Sequence, residues 1–136
     1  MVQFYFLSIF VNFIGGLLLA GDAISQKTST IQSLQEFFRS TTNLLVFSIV
    51  AAVAALFKVI SVFEGDIYVI GDLIPAAASA AIAVHFFSRY LYEKKGSVDS
   101  YLEKANVILE EYKTILGIAC IIIAILHFFF PGVLFI

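Results

Sequence analysis

Asn12, Lys58, Asp72, His85 and Arg89 are the side chains of this sequence whose types and surroundings would permit chemistry, because each sits in or beside a long apolar run. Ionisable groups at membrane depth are costly and usually line a substrate, ion or proton path. Lys58 and Asp72 form the sharpest pair. Counted inward from the acidic turn Glu64-Gly65-Asp66, each lies about five residues below the boundary, roughly 7 to 8 Å deep at 1.5 Å per residue. An ion pair between two adjacent helices is one outcome. The other is structural: Lys58 extends its ammonium to the nearby interface, and Asp72 caps a helix that starts at Leu73 and tolerates Pro75 in its first turn.

His85 and His127 suggest axial haem or metal ligation, but depth separates them. His85 lies about six residues from the inner end of its apolar run and His127 a few residues from the outer end of its own, more than 10 Å apart along the membrane normal at about 1.5 Å per residue. No haem or metal site is expected, and no other cofactor. His85 beside Arg89 would suit proton transfer or a structural hydrogen bond. Asn12 is expected near the bilayer midplane, where an amide finds an interhelical partner. Arg89 with Lys94 and Lys95 forms a basic cluster suited to anionic headgroups.

The elements that must position these groups follow from composition. Of 136 residues, 61 % are hydrophobic and 13 % charged, against about 25 % charged in soluble domains. A water-soluble surface cannot be built from this. Four spans of about 20 residues with short connections use almost the whole chain, so residues 1–136 read as a single transmembrane domain. The expected spans are 2–20, 42–63, 67–91 and 114–130. A cleaved signal peptide competes for the first stretch, but no basic segment precedes the apolar run and the run is long for such a core, so a retained span is expected.

Amphipathic helices are expected at 29–39 and 98–112, each opened by capping-box spacing, Ser29 with Gln32 and Ser100 with Glu103. Apolar residues follow at three-and-four intervals, most clearly Tyr101, Leu102, Ala105, Ile108, Leu109 and Tyr112. The fold expected is therefore all-α: four transmembrane helices as two hairpins, each with a cytoplasmic amphipathic segment. The order span, amphipathic segment, span occurs twice, with FIGG against VIGD, LQEF against LEEY and FEG against FPG. The offsets differ, so both an internal duplication and chance similarity account for it.

Basic residues set the orientation, because short loops rich in Lys and Arg stay cytoplasmic. Lys27 and Arg39 lie on the first connection, and Arg89, Lys94, Lys95, Lys104 and Lys113 on or beside the third. Both termini are thus expected on the non-cytoplasmic side of a plasma or inner membrane. Tyr5 and Tyr68 mark the outer interface; Tyr90, Tyr92 and Tyr112 mark the inner one.

Small residues at four-residue spacing, such as Ala51 with Ala55 and Ala76 with Ala80, let the second and third spans pack closely. Gly16 and Ala20 give the first span the same spacing. The fourth is bulky and is expected to face lipid or a partner chain. The net charge of −2 argues against nucleic acid as a partner, which would require a basic face. The lone Cys120 gives no disulfide framework. Sequence signatures of hydrolases, phosphate-binding loops and metalloenzymes are absent, so a non-enzymatic role is expected. The fragment VNFIGGLLLAG superficially resembles a span of small fluoride channels of similar length, but the rest of their pattern does not follow in order, and that family is not assigned.

Two functions fit. One is a protomer of an ion or small-molecule transporter or channel working as a homo-oligomer, with Lys58, Asp72 and Asn12 along the route and His85 with Arg89 at the inner mouth. The other is a non-catalytic accessory subunit of a larger membrane complex.

Overall fold

The computed structural model describes residues 2–24, 28–60 and 73–130. Among them there are seven helices and no strand. Four are long: α1 (Val2–Leu19), α4 (Thr41–Ile60), α5 (Leu73–Lys95) and α7 (Lys113–Phe129). Three short ones, α2 (Gly21–Ile24), α3 (Ser29–Phe37) and α6 (Ser100–Glu111), lie on the connections.

The long helices form a bundle whose centre is α1 and α5, each touching the other three long helices; α4 lies chiefly against α5, and α7 chiefly against α1. Each long helix buries a stripe at three-and-four spacing. On α1 it is Ser8, Val11, Asn12, Gly15, Gly16 and Leu19; on α4, Leu44, Phe47, Ser48, Ala51, Ala54, Ala55 and Lys58. The core joins Val11, Leu19, Leu44, Phe47, Ile82 and Phe86, with Phe47 edge-on to Phe86 at 5.3 Å.

Small residues bring α4 and α5 together, with the expected Ala51, Ala55 and Ala76 buried alongside Ala54 and Ala83, but Ala80 of the expected Ala76 and Ala80 pair is exposed. The closest approach, however, joins α1 to α7. A Cβ on Gly117 would stand 2.5 Å from the Ala20 backbone nitrogen and 2.7 Å from the Gly16 carbonyl. The fourth span is therefore not simply a lipid- or partner-facing helix. Its bulky residues do point outward, among them Ile115, Ile118, Ile122 and Phe129, but Gly117, Cys120, Ala124 and His127 turn inward against the bundle.

Two start signals are corrected. For α3 the cap is Thr28, without a side-chain cap bond, while Ser33 donates to the Ser29 carbonyl. For α6 the cap is Asp99, whose carboxylate accepts from the Tyr101 N–H at 3.1 Å. In both, the hydroxyl residue read as the cap is already the first helical residue. Gly96, with φ +70, closes α5 by donating its N–H to the Tyr92 carbonyl at 3.0 Å.

Among the described residues, one helix, α4, is long and apolar enough to cross a membrane by itself. Its 20 residues give about 30 Å, the thickness of a bilayer core. Helices α6 and α7 qualify only as a pair, and they are bent by 78° where they meet. The apolar stretch of α1, Gln3–Leu19, is shorter. Helix α5 is long but ends in the polar run Arg89 to Lys95, which dilutes its apolar content. Among the described residues the four long helices overlap the four expected spans, but α4 is the one that is long and apolar enough to cross a membrane by itself.

Candidate functional site

Polar groups gather at three levels. At the terminal end of the bundle, where α1 begins and α4 and α7 finish, Lys58 is 4 % exposed. Its Nζ lies 2.8 Å from His127 Nε2 and 5.0 Å from the centre of the Tyr5 ring. An ammonium has no acceptor, so Nε2 of the imidazole takes the hydrogen bond. Tyr5 in turn donates its hydroxyl to the His127 carbonyl, and the stacked pair Phe4 and Phe57 packs beside it. Lys58 therefore turns inward to a cation–π and hydrogen-bonded site rather than outward to the interface. Its expected partner Asp72 lies outside the described residues, although α5 does begin at Leu73 as the capping alternative requires.

At the middle level Asn12, 1 % exposed, ties α1 to α5. Its Nδ2 donates to the Pro75 carbonyl at 3.2 Å, and its Oδ1 accepts from Ser79 Oγ at 3.1 Å. Ser8 stands one turn away, with its Oγ 3.5 Å from the same Nδ2. Pro75 sits in the first turn of α5. This group is the interhelical fastener its midplane position suggested. Beyond it, Val11, Ile82, Leu19 and Phe86 fill the core and close the way toward the other end.

At the connection end the bundle opens. A cavity of about 200 Å³ is lined by Asp22, Gln35, Arg39, His85, Arg89, Glu110 and Lys113, with Leu18, Leu19, Phe38 and Phe86 as its floor. Lys113 Nζ lies 2.7 Å from Asp22 Oδ2 and 3.2 Å from Glu110 Oε2. Gln35 donates to the other Asp22 oxygen at 3.3 Å, and His85 Nε2 is 3.9 Å from Glu110 Oε1. One connected network thus joins α2, α3, α5, α6 and α7. The hydrogen bond from Lys113 holds the Asp22 carboxyl below its ordinary range, outweighing the upward push of partial burial.

Of the expected residues, the structure brings His85 and Arg89 into this one cavity. It places Lys58 and Asn12 at separate levels of the bundle, and Asp72, the third residue of the expected route, lies outside the described residues. The two histidines fall into different clusters, as the depth count indicated. Sequence reasoning missed His127 as a partner of Lys58, and Asp22, Gln35, Arg39, Glu110 and Lys113 as cavity residues. A partial signal was available: Glu110 and Lys113 are three apart at the junction of two helices, and Gln35 and Glu110 hold the second positions of the matched LQEF and LEEY fragments.

A protein-family model matches residues 1–127 of the chain. The chain is also 32 % identical over 139 residues to an uncharacterized protein of Treponema pallidum (strain Nichols), a match covering 99 % of each. No solved structure matches it.

Proposed function

We propose, on the premise that this chain belongs to the family that includes the Treponema pallidum protein, that it is a multi-pass membrane protein and a non-enzymatic protomer of an oligomeric transporter or channel for ions or small polar solutes. In this reading α1, α4, α5 and α7 cross the membrane and the connection end faces the cytoplasm. Both termini lie outside, on a plasma or inner membrane. The short α1 and α7 fit a bilayer through their bulky outward faces, and α3 and α6 lie along the inner surface. The two halves descend from a duplicated hairpin: exchanging them would preserve the packing of α4 on α5 and of α7 on α1 about the central α1–α5 contact.

The observation that carries the transport reading is the open charged cavity at the connection end. A structural ion pair would need neither the free volume nor the surplus of charged side chains gathered there. The packed core above it is the closed gate, and passage requires either its rearrangement or a route between protomers. Full-length protein reconstituted in liposomes should give saturable flux of at least one small ion or metabolite above protein-free vesicles. Correctly inserted oligomers that carry none of a broad panel would refute the reading.

An accessory role is the second reading, favoured by α6. Tyr101, Val107 and Ile108 on it are 83 %, 61 % and 59 % exposed, an apolar surface off the bundle that a larger complex would cover. Co-purification in mild detergent with a fixed stoichiometry of another membrane protein would favour it; recovery of this chain alone would count against it.

A further inference from the structure

The cavity at the connection end carries cations that its own carboxylates do not neutralise. Asp22 and Glu110 are both engaged by Lys113, at 2.7 and 3.2 Å. Arg39 has no carboxylate within ion-pair distance among the described residues, and Arg89 meets one only at 3.9 Å, from Glu93. Two guanidinium groups, one from the first connection and one from α5, therefore border the same space with bonding capacity to spare. His85 borders it too, 4 % exposed, and its Nδ1 has no hydrogen-bond partner among the described residues. The volume of about 200 Å³ is several times the roughly 30 Å³ share of one water, enough for a small oxyanion.

Guanidinium groups present planar forks of N–H donors that match carboxylate and phosphate oxygens in bidentate fashion. A carboxylate offers two oxygens and is satisfied by one fork. A tetrahedral phosphate has oxygens enough to meet both arginines, one from the first connection and one from α5, at once. We propose that this cavity is a binding site for a phosphate-class oxyanion, held between Arg39 and Arg89. The inference rests on the membrane reading for its placement at the inner surface. The same chemistry is offered by free phosphate compounds and by the phosphodiester of an anionic lipid headgroup.

Full-length protein in phosphatidylcholine nanodiscs, titrated with radiolabelled inorganic phosphate, forms one arm of the test. Retention of phosphatidylglycerol from mixed vesicles, read by native mass spectrometry, forms the other. Saturable binding in the first arm identifies a soluble ligand; selective retention in the second identifies the lipid. In the arm that responds, Arg39→Gln with Arg89→Gln should weaken binding at least about tenfold, the loss expected for charge-assisted hydrogen bonds. Arg39→Gln alone, at an exposed and readily tolerated position, should give part of that loss. Lys104→Gln, which alters an exposed charge on α6 outside the cavity, should change binding by no more than about twofold.

Absence of saturable binding in both arms would overturn the proposal. So would wild-type affinity in the arginine variants, or an equal loss in the lysine control. Anion binding without liposome flux would remove the transport reading and keep the site. Flux without anion binding would do the reverse.

Discussion

Lys58 and Lys113 carry the same ammonium at opposite ends of one bundle, yet the fold treats them differently. Lys58 is sealed in the core, held by His127 and the face of Tyr5. The Lys113 side chain is 32 % exposed and shared between two carboxylates on the rim of an open cavity. A charge taken out of water depends on every partner it keeps, because losing one leaves it both desolvated and unpaired. A charge that still meets water loses little when one partner goes. The terminal end thus seals its ammonium in the core, and the connection end leaves its own at the rim of an open cavity.

The largest effect should come from the sealed end. His127→Leu removes an acceptor from a buried ammonium and should cost about 2 to 3 kcal/mol, read as lowered thermal stability in detergent. The matching change at the open end, Glu110→Gln, should cost less than about 1 kcal/mol. Equal losses would erase the distinction between the ends.

Close packing between helices gives a second ranking. Gly117→Ala drives a methyl into the backbone of α1, for about 2 kcal/mol. Gly15→Ala should be milder, since the atoms its Cβ meets belong to the Ile82 side chain rather than to backbone. The same thermal melts rank the two, and a reversed order would place the rigid contact elsewhere. Asn12→Ala should cost about 1 kcal/mol, in the range of interhelical hydrogen bonds in membranes, with Ser79 losing its acceptor.

The smallest effect belongs to Asp22→Asn, below about 1 kcal/mol because the side chain is 66 % exposed. Its sign with pH is fixed. The folded carboxyl titrates lower than the unfolded one, so its contribution is present above the ordinary value near pH 3.9 and is lost as pH falls through the lowered folded value. Wild type and Asp22→Asn should differ in unfolding midpoint at pH 6 and converge in acid.

The long helices were legible because three-and-four periodicity and apolar length are local signals. So was Asn12 as a fastener, since a lone amide in an apolar helix must find a partner. His85 and Arg89 were placed together because they share one helix, a turn apart. What escaped was set by tertiary approach. His127, far along the chain, arrives beside Lys58 only when α7 folds back along α1, while the expected partner Asp72 lies outside the described residues. Asp22 and Lys113 meet across most of the sequence, and neither looks unusual alone. The caps shifted by one residue because Thr28 and Asp99 precede hydroxyl residues of similar capping chemistry, and spacing does not choose between such neighbours.

In the proposed topology the bundle crosses the membrane, closed at its core and open to the cytoplasm at the connection end. In a Cys120→Ala background, single cysteines at Gln35, on the cavity, and at Ser79, in the core, can be tested with a membrane-impermeant maleimide on intact cells and on inside-out vesicles. The account predicts that Gln35→Cys is labelled only in inside-out vesicles and Ser79→Cys in neither. Labelling of Gln35→Cys in intact cells, or recovery of the protein outside the membrane fraction, would contradict it.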